Sequence, residues 1–377
     1  MKLLSIEPTP SPNSMKLTVS ETLPMGTSYN FTQENKNDAI GILRDLLNID
    51  GVKGLYRVSN FIALERFPKA EWEVILRAVR QVFGEEDEKP SSEKAEDAHK
   101  EAFGEVRVFI QKFRGIPMQI KLLADGEEIR VGLPDRFMEA IMTAQAAATN
   151  IILERRWEEQ SPRYGEVEDI EKDLLEEISA AYDQERLDDL VKRAIQGEPA
   201  SNKEYSPFQK VTLEMLDDPD WRKRYAALER MDPQVEDLPV LAKALRDEKV
   251  AIRRLATVYL GMLEDPKALP YLYEALHDKT VTVRRTAGDA LSDLGDPKAI
   301  PEMIKALKDP SKIVRWRAAM FLYEVGDASA LPALEEAQND PEFEVALQVK
   351  MALERIRGGS EAKGSVWKQM TEARRER

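Results

Sequence analysis

"ALPYLYEALHDKTVTVRRTAGDALSDLGDPK", residues 268–298, sets the architecture of the second half of the chain, because the pattern recurs when shifted by its own length. Pro239, Pro270, Pro301 and Pro332 stand 31 residues apart, and the same step links Asp247, Asp278, Asp309 and Asp340. It also joins Arg253, Arg284 and Arg315, with Ala346 in the fourth slot. Ala256, Ala287 and Ala318 follow, then Leu260, Leu291, Leu322 and Leu353. A period of about 20–50 residues marks a solenoid or array of stacked units.

One unit reads as two helices. Proline in the first turn removes no helical hydrogen bond. Leu241, Leu272, Met303 and Leu334, with the alanines at 244, 275, 306 and 337, form the first helix's apolar stripe. The aspartate ends the turn and can cap the second helix. Ile252, Val283, Val314 and Val345 open the second stripe. Alanine four positions on allows close helix approach, and leucine another four on closes the stripe. Asp-Pro at 265–266 and 296–297 ends the unit. Helices of about 9 and about 14 residues plus turns fit the period. Residues 205–233 read as a degenerate first unit. "EFEVALQVKMALERIR", residues 342–357, lacks the arginine and reads as the terminal cap, since end repeats are atypical.

This array resembles the HEAT superfamily, in the short form found in phycobilin lyases. The Asp-to-Arg spacing, 247 to 253, 278 to 284 and 309 to 315, matches that family's side-chain ladder. The resemblance implies that Asp247, Arg253, Asp278, Arg284, Asp309 and Arg315 bridge neighbouring units and are mainly structural.

Residues 1–83 read as a small α+β domain. "KLLSIEPTPSPNSMKLTVS" gives two extended segments around a Pro-rich turn, since proline biases the residue before it toward extended geometry. "NKNDAIGILRDLLNI" places Ile40, Leu43, Leu46 and Leu47 at helical spacing. "DGVKGLYRVSNFIALER" reads as two strands with a turn near Ser59-Asn60. In "KAEWEVILRAVRQVFG", Trp72, Ile75, Val79 and Val82 share a helical face, and Gly84 can cap it. "PTPSPNSMKL", "IDGVKGLYRVSNFIALER" and "WEVILRAVRQVF" resemble the N-terminal domain of Nfu-type iron–sulfur scaffold proteins. In that family a separate domain with a Cys-x-x-Cys pair carries the cluster. This chain has no cysteine, so the cluster-carrying role does not transfer and a partner-docking role is what remains.

Residues 84–102 hold eight acidic and three basic residues and read as a linker, with His99 on its surface. Residues 103–200 read as a second α/β and helical segment. "EVRVFIQKFRGIPMQIKLLADGEEIRVGLP" alternates like strands, and Asp125-Gly126 is a hairpin signal. Helices follow over "PDRFMEAIMTAQAAATNI", "EVEDIEKDLLEEISAAYD" and "ERLDDLVKRAIQG", with Pro134 near the start of the first and Gly197 after the last. "ILERRWEEQ" either extends the first helix or forms a strand. Residues 201–357 hold the repeats, and 358–377 read as a disordered or loosely helical tail. The middle block, between an Nfu-like start and helical repeats, resembles the conserved virulence factor C family of Gram-positive bacteria. That resemblance implies a regulatory or fitness role and no mechanism.

The totals narrow the functions. The chain has 377 residues, net charge −14, no cysteine and two histidines, His99 and His277. Thiolate nucleophiles, disulfides and Cys-bound metals are excluded, and so are most His-rich metal sites. The negative field opposes nucleic acid and anionic lipid. No run approaches the roughly 20 apolar residues of a membrane span, and no signal-peptide h-region is present, so a cytoplasmic location is expected. There is no GxxxxGK[ST], no GxGxxG and no His-Glu pair like those of the helical-repeat metal hydroxylases. Acidic pairs such as Glu176-Glu177 and Asp188-Asp189 read as solvated faces. No catalytic, metal or cofactor residue is assigned.

The remaining signal is surface. Arg254, Arg285 and Trp316 stand one repeat apart beside the ladder, and Trp221, Arg222, Lys223 and Arg224 add a basic, aromatic cluster. Stacked repeats would bring these into a row of the kind that anchors protein interfaces. The reading is a non-enzymatic scaffold or adaptor that binds a protein through the repeats, set in iron–sulfur metabolism or virulence regulation. The alternatives are a lyase-type enzyme of the short-repeat class and a nucleic-acid binder using the arginine rows.

Overall fold

The computed structural model describes residues 1–9, 11–24, 27–68, 70–84, 105–124, 127–146, 151–196 and 208–359. Of the linker expected at 84–102, residues 85–102 with His99 lie outside the described residues, as do residues 360–377 of the tail expected at 358–377. Contacts divide the chain into two compact units, one of residues 1–103 with 297–377 and one of residues 104–296.

The first unit begins with a five-stranded antiparallel sheet. Its strands are β1 (Leu3–Pro8), β2 (Ser14–Val19), β3 (Ser28–Thr32), β4 (Val52–Val58) and β5 (Phe61–Arg66), in the order β1-β2-β5-β4-β3. Two helices, α1 (Ile42–Leu47) and α2 (Trp72–Val82), accompany it. Strand β2 alternates half-buried and buried, so Met15, Leu17 and Val19 enter the core with Ile62, Leu64, Trp72, Ile75 and Val79. The turn between β4 and β5 falls at Ser59, which has φ 46°. Strand β3 is not signalled by the sequence: it is an exposed edge held by main-chain pairing to β4. Gly54 allows that pairing, because a Cβ there would sit 2.9 Å from the Phe31 carbonyl oxygen. Ile40, expected on the helix stripe, lies before α1 and is exposed.

The Pro-rich turn is clamped from inside. The Trp72 indole Nε1 donates to the Pro12 carbonyl at 2.8 Å. Asn13 is buried; its backbone carbonyl accepts from the Arg66 N–H at 2.9 Å and its Oδ1 from Arg66 Nε at 3.4 Å. The Arg66 guanidinium lies over the Trp72 ring at 5.2 Å.

The second unit opens with a four-stranded antiparallel sheet, order β8-β7-β6-β9. Its strands are β6 (Glu105–Phe113), β7 (Ile116–Ala124), β8 (Glu127–Gly132) and β9 (Arg155–Tyr164). Arg114 and Gly115, both with positive φ, make the tight turn between β6 and β7. Ala124 pairs with Glu127, as a two-residue hairpin at 125–126 requires, although those two residues lie outside the described set. Helices α3 (Asp135–Gln145), α4 (Ile151–Glu154), α5 (Val167–Ala181) and α6 (Gln184–Gln196) complete this segment. The ambiguous "ILERRWEEQ" divides between α4 and β9.

The repeats follow. In the second unit they are α7 (Trp221–Glu229), α8 (Leu238–Ala244), α9 (Val250–Met262), α10 (Leu269–Leu276) and α11 (Val281–Leu294). In the first unit they are α12 (Ile300–Ala306), α13 (Lys312–Val325), α14 (Leu331–Ala337) and α15 (Phe343–Arg357). Each repeat proline stands in the first turn of its short helix. Ala256, Ala287 and Ala318 have no exposed surface. Helix α9 meets α11 so closely that a Cβ on Gly261 would lie 2.8 Å from the Ala290 Cβ.

Helix α15 does more than end the array. Phe343 and Leu347 pack against the core of the N-terminal sheet domain. Glu344 accepts from the buried Arg66 at 2.8 Å. Phe343, Glu344 and Leu347 thus attach this last repeat to the other part of its own unit.

Candidate functional site

The repeat aspartates and arginines form a ladder in both units. Asp278 Oδ1 accepts from the Thr280 N–H at 2.7 Å, just before α11, and the same bond is made by Asp247, Asp309 and Asp340. Arg253 spends Nη1 on the carbonyls of Asp247 and Glu248, both at 3.0 Å. Its Nε and Nη2 then fork onto the Asp278 carboxylate at 2.7 and 3.1 Å. Arg253 thus fixes its own turn and grips the aspartate of the next repeat. Arg315 does the same with Asp309, Pro310 and Asp340. Arg284 Nη1 reaches the Asp278 carbonyl at 3.0 Å. Arg224, grouped by sequence with the surface cluster, is the first rung: it binds the Asp218 carbonyl and the Asp247 carboxylate.

Burial pushes the Asp278 carboxyl up, but hydrogen bonds from Arg253 and Thr280 outweigh it and hold the carboxyl below its ordinary value. A carboxylate with a depressed folded pKa contributes stability above its unfolded value and loses it as the pH falls through the folded one. The urea midpoint is therefore expected to drop as the pH falls from about 5, and to drop less in Asp278→Asn. Equal acid dependence in the two proteins would remove this role for Asp278.

The expected exposed row of Arg254, Arg285 and Trp316 is not formed. Trp316 is 3% exposed within α13, and Arg285 is 2% exposed. The Arg285 guanidinium lies 4.5 Å from the Tyr164 ring centre and pairs with Asp289. Arg254 is turned into the second unit, against Glu177. For Arg254 and Arg285 the physical reason is that the second sheet and α5 contribute groups facing α9 and α11, which a reading of the repeats alone treats as bare. The arginines required by the nucleic-acid reading are thus engaged internally. Two of the five candidates stay at the surface. Arg222 is exposed, and Trp221 is half-buried, with the Lys249 ammonium 4.3 Å and the Arg222 guanidinium 5.3 Å from its ring. His277 is exposed, its Nδ1 2.9 Å from the Tyr273 carbonyl.

The chemistry missing from the sequence reading lies in the second unit. Arg163 on β9 forks onto Glu177 of α5, at 3.2 and 2.5 Å. Tyr225 Oη on α7 donates to Glu177 Oε2 at 3.3 Å, and Arg254 Nη2 on α9 reaches the same oxygen at 3.5 Å. Burial pushes the Glu177 carboxyl up, yet Arg254 and Arg163 prevail and keep it depressed. Burial, then the neighbouring Arg163 charge, lowers Arg254, and burial with Glu177 drives the Tyr225 phenol well up. These groups line a cavity of about 240 Å³. Glu177 was legible in one respect: it shares a helical face with Ile170, Leu174, Ile178 and Ala181, whereas its neighbour Glu176 pairs outward with Lys249. Among the described residues no group of three or more His, Asp or Glu side chains is placed to hold a metal ion. No described helix is long and apolar enough to cross a membrane.

Comparison with known proteins places three families on the chain. The N-terminal domain of Nfu/NifU scaffold proteins matches residues 4–89, a family described as virulence factor matches 111–191, and HEAT repeats match 210–292 and 279–354. The uncharacterized protein YpgR of Bacillus subtilis is 60% identical over 376 residues, covering 100% of this chain and 99% of that protein. Conserved virulence factor C of Staphylococcus aureus strain MRSA252 is 50% identical over 377 residues, covering 98% and 99%. Among solved structures, protein SAV1430 of Staphylococcus aureus is 36% identical over 22% of this chain and 99% of that chain, with TM-score 0.21. The CpcE–CpcF complex of phycocyanin lyase from Nostoc sp. PCC7120 is 27% identical over 30% and 52%, with TM-score 0.27.

Proposed function

The chain belongs to the conserved virulence factor C family, and on that premise we propose that it is a non-enzymatic, cytoplasmic adaptor whose repeats bind a protein partner. The observation that carries this reading is how the repeats use their polar groups. The described arginines of the ladder and of its neighbouring register are engaged within the fold, and Trp221 with Arg222 is left presented on α7. An aromatic ring flanked by arginine and lysine is the composition of an interface anchor. Lys223, Ala226 and Ala227 of the same helix, with Arg230 just after its end, line a groove of about 710 Å³ against α6. An acidic segment of the partner suits the exposed Arg222 beside the Trp221 ring. The N-terminal domain would bring a second partner, with iron–sulfur metabolism or virulence regulation as the setting.

The test is a tagged pull-down from native cytoplasm with mass spectrometry, comparing the full-length chain with a Trp221→Ala, Arg222→Glu variant. The expected result is loss of a specific protein while stability changes by no more than about 1 kcal/mol. An unchanged set of captured proteins would remove α7 as the docking surface.

A further inference from the structure

In the Arg163–Glu177–Arg254 cluster two guanidiniums share the Glu177 carboxylate, and the Asp173 carboxylate lies within electrostatic reach of Arg163. The other charges on the cavity wall have partners of their own. Lys112 is paired with Glu158 at 2.7 Å, and Glu229 with Arg186 at 2.6 Å. Glu177 is satisfied by a two-pronged bond from Arg163, whose side chain is 10% exposed. Arg254, 12% exposed, is left with one bond to Glu177 at 3.5 Å, the longest in the cluster. Its Nε is buried and makes no hydrogen bond within the protein. A buried cation held by one long bond is costly, because desolvation exceeds what a weak partner returns. A fold selected for stability alone would close the pair with a second carboxylate or use an apolar residue.

The rest of the wall is mixed, with Gln160 and Ser161 among its polar groups. Ile110, Leu174, Ile178, Leu255 and Val258 line the cavity beside the guanidiniums. Its volume of about 240 Å³ equals roughly eight waters at ~30 Å³ each. Guanidinium donors together with several aliphatic side chains are the make-up of a small-ligand site. We propose that this cavity binds a small organic carboxylate, its carboxylate taken by Arg254 beside Arg163 and its apolar body by the aliphatic side chains. The guanidinium fork matches a planar carboxylate, and the aliphatic side chains disfavour inorganic phosphate, which has no apolar part. The site draws on β9, α5, α7 and α9 together, so a bound ligand stabilises their association by mass action.

Calorimetric titration of the full-length protein tests this with benzoate and hexanoate as probes. Benzyl alcohol, hexanol and inorganic phosphate serve as comparisons. The expected result is saturable one-to-one binding of a carboxylate at about 1 mM or tighter, at least about tenfold weaker for the alcohol and for phosphate, a difference of about 1.4 kcal/mol. Arg254→Met should weaken it by about tenfold or more, with the circular dichroism spectrum unchanged. Should Arg254→Met fail to fold, Val258→Trp fills the cavity and leaves both guanidiniums, and it should abolish binding. No saturable binding of either carboxylate, equal binding of phosphate or alcohol, or full binding by Val258→Trp would each overturn the proposal.

Discussion

Replacing Arg253 with methionine lowers the free energy of unfolding by about 3–5 kcal/mol in a urea titration. Arg253 is 3% exposed and makes five hydrogen bonds, two to carbonyls of its own turn, two to the Asp278 carboxylate and one to Thr280. Methionine keeps the aliphatic volume of the stem, so packing is largely retained. What remains is a nearly buried carboxylate without its cation and two turn carbonyls without their donor. The matched control is Arg246→Met. Arg246 also pairs with an acid of the next repeat, Glu274 at 2.9 Å, but that arginine is two-thirds exposed, and the change should leave the urea midpoint nearly where it was. Similar losses for the two variants would show that the ladder is no stronger than an ordinary surface ion pair.

Trp72→Ala is expected to destabilise the N-terminal sheet domain by about 3–5 kcal/mol, the range for a large aromatic removed from a core. Trp72 has no exposed surface. Its ring fills the core beside Ile75 and Val79, supports the buried Arg66 guanidinium and holds the Pro12 carbonyl. Trp72→Phe separates these roles: it keeps an aromatic ring and deletes the indole donor, and should cost less, about 1–3 kcal/mol. Hydrogen exchange should show the loss at β1, β2 and β5, the strands joined through the Pro-rich turn. If Trp72→Phe costs as much as Trp72→Ala, the donor rather than the ring volume dominates. If both are neutral, the turn does not depend on the indole.

The strand-like alternation and turn signals of the middle segment predict a hairpin and helices, and those elements are present. Strand β3 was not predicted because an exposed edge has no buried alternation to read. Its stability comes from main-chain bonds to β4 and from the missing side chain of Gly54. Arg254 and Arg285 were read as a surface row because the 31-residue register places them beside the ladder and says nothing about what covers them. Glu177 was read as half of a solvated pair because adjacent acids on a charged helix normally face water. Its position on the stripe of Ile170, Leu174 and Ile178 was the available signal, and the partner from β9 was the part that could not be read.

By itself, the sequence determined the repeat, the two α/β segments and the absence of cysteine chemistry, since each follows from local spacing or residue inventory, while the ladder was implied by the family resemblance. The tertiary structure alone decided which arginines are buried, that Arg163, Glu177, Tyr225 and Arg254 share one cavity, and that Glu344 of the last repeat takes Arg66 of the first sheet. Those meetings join residues from 14 to 278 positions apart. Periodicity carries information within a helix or from one repeat to the next. Contacts between unlike elements depend on which face each buries when the chain packs, and no local spacing encodes that choice.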